Sequence, residues 1–369
     1  MRIGIPREIK PQEGRVALLP AQVERLAALG NELLVERDAG ALSGAATSAY
    51  EKAGARVVDS AKAVYDGAEL IVKVKEILPS EFQLLRKEHV IFTNIHGAAD
   101  RVQVDRLMEA GLIAIAAEET HEFGSPNSVL AGSIGALEGV RLVLAPHGGT
   151  GRHFQAHFGA SAAKALVLGL GGVGRGALRT VLGLGLSVVG FDVSAGARRE
   201  AALTWHKHDF DALHVSEIPF HLEDADLIVN CVLWDKRRSD HLITREMLGR
   251  LDPCAVIADI SCDPAGAIET CRATKWEDPV YEVDGIRHFC VDNIPGAAPA
   301  TASAGYAEAI LPFVSLIAEH GPLEACRRNA WLARGLTCAR GELILEEAGH
   351  IQERSFTPVA TFLTRHAAV

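Results

Sequence analysis

Several features are missing from this 369-residue sequence, and each absence excludes a class of function. Its seven cysteines are an odd number and form no CxxC pair, so they read as reduced, mostly buried thiols rather than a disulfide framework or a zinc site. No HExxH and no GxSxG occurs, which argues against a helical zinc site and against a nucleophile elbow. Cations are outnumbered: 37 Lys and Arg against 47 Asp and Glu leave a net charge of −10, a surface that repels phosphate backbones, so no nucleic-acid partner is expected. No run of about eighteen apolar residues is present, so no membrane-spanning helix is expected. The opening MRIGIPREIKPQEGR carries charges every few residues where a signal peptide would be apolar, so a cytoplasmic protein is expected.

What is present is the material of two globular cores. Hydrophobic residues make up 48% and charged residues 23%, and at roughly 150 residues per domain the length suggests two domains. Short β-branched runs alternate with amphipathic stretches. NELLVE, AELIVKVKE (68–76), HVIFTNIH (89–96) and LIAIAAEE read as strands. PAQVERLAALG (20–30), between Pro20 and Gly30, and RVQVDRLMEA, between Asp100 and Gly111, read as helices. A small-residue stretch from Ala131 to Gly159 breaks the rhythm and holds no clear strand. It resumes at AKALVLG and continues through SVVGFDV (187–193), ADLIVNCV (225–232), AVIADIS (255–261) and RHFCVDN (287–293). IPGAAPATASAG (294–305) reads as a hinge, followed by a helix that Pro312 is expected to kink. The pattern is α/β: two Rossmann-like, doubly wound domains with a cleft between them.

The most informative segment is ALVLGLGGVGRGALRTVLGLGLSVVGFDVS. A strand ends at Leu168, Gly169, Gly171 and Gly174 form GxGxxG, a helix follows, and a second strand ends in Asp192. Gly169 permits a tight turn, Gly171 lets backbone amides approach a pyrophosphate, and Gly174 lets helix and strand pack closely. The helix N-terminus offers unpaired N–H groups to phosphates. A carboxylate at Asp192 suits ribose hydroxyls and repels a 2′-phosphate, which favours NAD over NADP.

Reacting groups are sought at the carboxyl ends of the strands. Lys73 and Lys75 share one face by the period of two; His96 ends one strand; Asp259 and Asp263 follow another; Asp292 and Asn293 end a third. Each has a plain alternative as a solvated lysine, a capping histidine or a turn aspartate. Together they supply a fixed cation, an imidazole and a carboxylate beside a hydride carrier. His153 and His157 stand at i,i+4 without a third ligand, so no metal is expected.

At these residues the chain resembles the alanine dehydrogenase/transhydrogenase N-terminal family, collinearly over nearly its whole length. The matching motifs are MRIGIPREIKPQEGRVALLP, LIVKVKE, IFTNIHGAAD, SVLAG, ISCDPAGAIET, CVDNIPGAAP and the tail from LARGLTCARGEL to FTPVATFL. The resemblance implies Arg15, Lys75 and Asn94 as substrate-binding residues, with His96 and Asp263 catalytic. For NAD it implies Ser128, Gly169, Gly171, Gly174, Asp192, Val232, Leu233, Arg272 and Asn293. It further implies a substrate domain of residues 1–128 and 302–369, an NAD domain of 129–301, and a homo-oligomer, hexamer or dimer. The implied activity is NAD-dependent oxidative deamination of alanine or a near relative to its 2-oxo acid and ammonia, and the reverse.

The match departs from the family where Asn94 replaces a tyrosine, Asn127 a methionine and Val129 a glutamate, and where Gly97 follows the histidine. These changes make the expected pocket wall shorter and more polar, unless neighbours fill the space. NCVLWDKRRSDHLIT (230–244), with features to about residue 290, is more similar to carboxyethylornithine synthases. That likeness raises an opine-type alternative, in which a larger amino acid replaces ammonia. A third reading is a catalytically silent, transhydrogenase-like NAD-binding module.

Overall fold

The structure is a computed structural model that describes residues 1–121, 125–235, 238–262 and 265–367. Contacts divide the chain into two compact units, Met1–Asn127 with Ala298–Val369, and Ser128–Ala297.

The opening part of the first unit builds a parallel sheet from β1 (Arg2–Ile5), β2 (Glu32–Glu36), β3 (Arg56–Val58), β4 (Leu70–Val72), β5 (Val90–Thr93) and β6 (Ile113–Ala116), in the order β6-β5-β4-β1-β2-β3. Its central strands are apolar on both faces because both are covered. Leu70, Val72 and Phe92 enter one core cluster and Ile71 and Ile91 another. The helices form at Pro20–Ala28 and Arg101–Glu109. Asp100 caps the second by accepting from the Gln103 amide at 3.0 Å.

The lysine-bearing strand is shorter than its pattern. It stops at Val72 because the Glu8 carboxylate accepts from the amides of Val74 at 2.6 Å and Lys75 at 3.2 Å, withdrawing both from the ladder. Lys73 and Lys75 therefore do not share a strand face. Lys73 is buried between Glu81 at 2.9 Å and Glu8 at 3.2 Å, whereas Lys75 lies 3.6 Å from Glu76.

The second unit holds β7 (Lys164–Leu168), β8 (Ser187–Phe191), β9 (Phe210–Leu213), β10 (Leu227–Asn230), β11 (Val256–Asp259), β12 (Val280–Val283) and β13 (Ile286–Phe289). The order is β12-β13-β11-β10-β7-β8-β9, parallel except where β12 lies antiparallel on β13. From β7 the chain winds one way through β8 and β9 and the other way through β10, β11 and β13. That reversal marks where open α/β sheets bind ligands.

The small-residue stretch that broke the sequence rhythm is a helix, Ser128–Val143, continuing into irregular chain. Its glycines are packing surfaces. A Cβ on Gly132 would lie 1.9 Å from the Val173 carbonyl oxygen, and one on Gly176 would lie 1.9 Å from that of Val129. The helices Ser128–Val143 and Gly172–Leu184 thus cross backbone to backbone. His153 and His157 are not on a helix: both are exposed, and His157 pairs with Ala160 in an isolated bridge.

The closing segment returns to the first unit. Helix Pro299–His320 begins inside the expected hinge, with Pro299 in its first turn, where a missing N–H costs nothing. It runs through Pro312 without a break in assignment. By length and hydropathy it is apolar enough to cross a bilayer, but Tyr306, Ala307, Ile310, Val314 and Ile317 are fully buried in the core of this unit. β14 (Leu336–Ala339) then pairs antiparallel with β6, and β15 (Glu342–Leu343) with β14, completing eight strands.

Candidate active site

In the first unit, Arg15 is 4% exposed and lies against Glu13, whose carboxylate accepts from Nε at 2.7 Å and Nη2 at 2.5 Å. With its amide oriented to satisfy both atoms, Asn127 accepts from Arg15 Nη1 at 3.3 Å and donates to the Ala302 carbonyl at 3.2 Å. Lys75 is 8% exposed, and burial lowers its pKa; Lys10 and Arg15 add to that, while Glu76 and Glu13 oppose it. Glu76 is itself partly buried, but Lys75 and Lys10 outweigh that and hold its pKa down to about 2, Lys10 Nζ lying 2.9 Å away. Among the described residues, the cations Arg15, Lys75 and Lys10 thus meet the carboxylates of Glu13 and Glu76. Two buried cationic donors on neighbouring segments suit one small carboxylate.

Asn94 is buried beside this cluster. Its Nδ2 donates to the Val74 carbonyl at 2.7 Å, and its Oδ1 has no partner. His96 is exposed and adopts φ 52°, an uncommon left-handed conformation for a non-glycine residue. The turn is held by Glu118, which accepts from the amides of Ile95 at 3.0 Å and His96 at 2.6 Å; its Oε1 also lies 3.8 Å from His96 Nδ1. Burial pushes the Glu118 carboxyl up to about 7, against the pull of those amides. Glu118 was not singled out in the sequence, although LIAIAAEE ends in acids just past a strand. Lys73 belongs to a different cluster: burial disfavours its charge, but Glu8 and Glu81 win and raise its pKa. Tyr65 also donates to Glu81, at 3.0 Å.

In the second unit the glycine loop has the geometry its spacing implies. Gly169 has φ 84°. A Cβ on Gly174 would strike the Gly169 carbonyl oxygen at 1.9 Å. Gly171 is the N-cap of Gly172–Leu184, and a Cβ there would meet nothing within 4 Å, leaving the open approach a pyrophosphate requires. Asp192 closes the loop, accepting from the Leu170 amide and the Ser194 amide, both at 2.8 Å. Arg198 donates to the carbonyls of Asp192 at 2.6 Å and Val193 at 3.0 Å, so it caps this turn. These residues fit a dinucleotide.

The remaining candidates of this unit are spread over its loops. Ser128 opens the helix that crosses Gly172–Leu184. Val232 and Leu233 follow β10; the Val232 amide donates to Asn230 Oδ1 at 3.2 Å, and Leu233 is exposed. Asn293 is buried, its carbonyl accepting from Trp276 Nε1 at 3.1 Å. Arg272 is exposed. Asp259 ends β11, accepting from Asn230 Nδ2 at 2.8 Å, and burial pushes its carboxyl up to about 7. Asp263 lies outside the described residues. Among the described residues, no group of three or more His, Cys, Asp or Glu side chains is arranged to hold a metal ion.

Two parallel-sheet units, one with a buried cation cluster and one with a glycine-loop nucleotide fold, define a class of α/β dinucleotide-binding proteins. Family models narrow the class: Alanine dehydrogenase/PNT, N-terminal domain, matches residues 4–130, and Alanine dehydrogenase/PNT, C-terminal domain, matches residues 135–346. The chain belongs to the alanine dehydrogenase/PNT family. It is 34% identical to the alanine dehydrogenase of Bacillus subtilis (strain 168) over 376 aligned positions, covering 100% of this chain and 99% of the relative. It is 32% identical to that of Mycolicibacterium smegmatis, covering 98% and 100%. A solved L-alanine dehydrogenase superposes with a TM-score of 0.89 at 34% identity, over 96% of this chain and 99% of the other. A transhydrogenase from Sinorhizobium meliloti gives 0.76 at 26% identity, over 94% and 99%.

Proposed function

We propose that the chain is an NAD-dependent amino acid dehydrogenase that converts L-alanine or a near relative to its 2-oxo acid and ammonia, and runs the reverse reductive amination. The observation that carries the reading is the buried pairing of Arg15 with Lys75 in one unit, in a chain collinear with alanine dehydrogenases.

Arg15 and Lys75 bind the substrate carboxylate by charge-assisted hydrogen bonds. Glu13 fixes the plane of the Arg15 guanidinium, and Glu8 fixes the backbone on which Lys75 stands. A carboxylate clamped at both oxygens orients Cα, and orientation contributes much of the rate. The glycine loop and Asp192 hold NAD, with Ser128, Val232, Leu233, Arg272 and Asn293 as further contacts. NAD when bound supplies the hydride acceptor. Loss of hydride from Cα leaves an imine, and water adds to it. His96 takes the proton from that water and returns one to the departing amine, a role suited to an imidazole, which can both accept and donate a proton. Glu118 sets the backbone turn that presents His96. Asp263 is proposed to stabilise the cationic imine.

The test is NADH absorbance with purified protein and a panel of L-amino acids. NADH formed with alanine supports the reading, and none with any amino acid overturns it. An opine-type reaction is favoured by one observation, the unpartnered Asn94 Oδ1, an acceptor left over for a larger or more polar amine. That reading requires NADH oxidation that depends on a 2-oxo acid plus a basic amino acid and ignores ammonia. The family likeness also supports a homo-oligomer, which light scattering tests.

A further inference from the structure

The side chain of Arg272 does not hang free in solvent. Its guanidinium carbon lies 4.0 Å from the centre of the Tyr281 ring, a cation–π contact. Its backbone amide donates to Tyr281 Oη at 2.7 Å. Arg272 makes no ion pair with any described residue, so its N–H donors have no acidic partner there.

Tyr281 is itself fixed at its ring and at its hydroxyl. The buried imidazole of His288 stacks on the Tyr281 ring with centroids 5.0 Å apart and planes 19° apart. Burial lowers the His288 pKa, which keeps the ring neutral. Its Nδ1 lies 2.9 Å from the Ile286 carbonyl, which only accepts, so Nδ1 carries the hydrogen. Nε2 then accepts from the Thr270 hydroxyl at 2.8 Å. Tyr281 Oη donates to the Thr270 carbonyl at 3.0 Å and lies 3.6 Å from Cys290 Sγ. The phenol ring thus packs against both the His288 imidazole and the Arg272 guanidinium, and the imidazole and phenol are held by their own hydrogen bonds.

The stack stands at the ligand-binding edge of the sheet. Thr274 donates its amide to the Cys290 carbonyl at 2.9 Å and bridges Val291, just past the carboxyl end of β13. Asp192 directly follows β8, on the opposite side of β7 from β10, β11 and β13. A dinucleotide whose adenosine ribose meets Asp192 and whose pyrophosphate meets Gly171 must run its other half towards β10 and β11.

We propose that Tyr281, stacked on His288, is a positioning residue that holds the Arg272 guanidinium for the nicotinamide half of the bound dinucleotide. The inference rests on the reading of the chain as an NAD-binding dehydrogenase. The ring fixes the plane of the guanidinium before the ligand arrives, so less side-chain entropy is lost on binding. The donors then meet an anionic or carbonyl oxygen of that half.

The test is a double-mutant cycle on the full-length protein, titrating NAD and, separately, AMP by calorimetry. Arg272→Ala and Tyr281→Leu are each expected to weaken NAD roughly 3- to 30-fold and to leave AMP unchanged. Tyr281→Leu is expected to have no further effect in the Arg272→Ala background. Tyr281→Phe, which keeps the ring, is expected to stay within about twofold of the original NAD affinity, because a phenyl face also attracts a guanidinium. Failure of the unaltered protein to bind NAD overturns the dehydrogenase reading and the proposal with it. An unchanged NAD affinity in Arg272→Ala removes that residue from the cofactor site. A loss in Arg272→Ala with additive, absent or AMP-wide effects of Tyr281→Leu overturns the positioning role alone, as does a Tyr281→Phe variant that binds AMP normally but loses NAD.

Discussion

At the scale of single residues, charged partners separate side chains that the sequence presents as alike. Two lysines two positions apart end in different clusters: Lys73 is held between two carboxylates and spent on the fold, while Lys75 sits with Arg15, Lys10 and Glu76. His96→Ala is expected to lower turnover by roughly 10²–10⁴-fold while NAD affinity, read by calorimetry, stays near its original value. Glu118 makes a separate, pH-dependent prediction. Its carboxyl is raised from an ordinary value near 4.5 to about 7 in the folded protein, so between those limits the folded state binds more protons than the unfolded one. The contribution of Glu118 to stability is therefore complete below about pH 4.5 and fades as pH rises through about 7. Glu118→Gln should flatten the decline in urea midpoint over that window, and an identical slope in both proteins would show that the carboxyl titrates normally. The candidate site was legible where chemistry demanded a residue type at a strand end, as at His96 and Asp192. Glu118 and Tyr281 were not legible, because Glu118 is singled out by amides of another strand end and Tyr281 by ring contacts across a hairpin, and neither leaves a spacing of its own.

At the scale of elements, the apolar runs announced the strands. β2, β5, β6, β7, β8, β10 and β11 all lie within runs of β-branched and aliphatic residues that a buried parallel sheet requires, whereas β13, Ile286–Phe289, starts before the run read over 287–293 and stops short of its end. The lysine strand was overread because a side chain, Glu8, competes for its backbone donors, and no periodicity encodes that competition. Helix Ser128–Val143 was unreadable for the opposite reason: its glycines are poor local helix formers, and they are required by close neighbours, another backbone at Gly132 and the side chains of Ile260 at Gly135 and Leu227 at Gly139. Gly132→Ala and Gly176→Ala each place a Cβ 1.9 Å from a carbonyl oxygen and should destabilise the second unit by several kcal/mol, in the range of overpacked cores, about 1–3 kcal/mol or more. Gly183 lies in the same helix as Gly176, with nothing within 4 Å of its Cβ position. Gly183→Ala should therefore raise stability by about 0.4–1 kcal/mol. Thermal unfolding of the three variants separates the effects; equal behaviour would mean that the helix crossing is looser than these contacts imply.

At the scale of the whole molecule, the two units differ in how the chain builds them. The second unit is one continuous segment, Ser128–Ala297, with a complete seven-stranded sheet and its own apolar clusters on both faces. The first is assembled from two segments 170 residues apart in the chain. Its core needs both: Leu18, Val23, Leu26, Leu70 and Phe92 from the opening segment share one cluster with Tyr306, Ile310, Val314 and Ile317 from the closing one. Without the closing segment, β6 also loses its partner β14 and becomes an open edge. A fragment of residues 128–297 is therefore expected to unfold cooperatively in urea and to retain AMP binding through the glycine loop and Asp192. A fragment of residues 1–127 is expected to lack a cooperative transition, and to gain one when residues 298–369 are supplied in trans or joined by a short linker. Circular dichroism in a urea titration reads both outcomes. A cooperative transition in residues 1–127 alone would mean that the helix Pro299–His320 is accessory to that core rather than part of it.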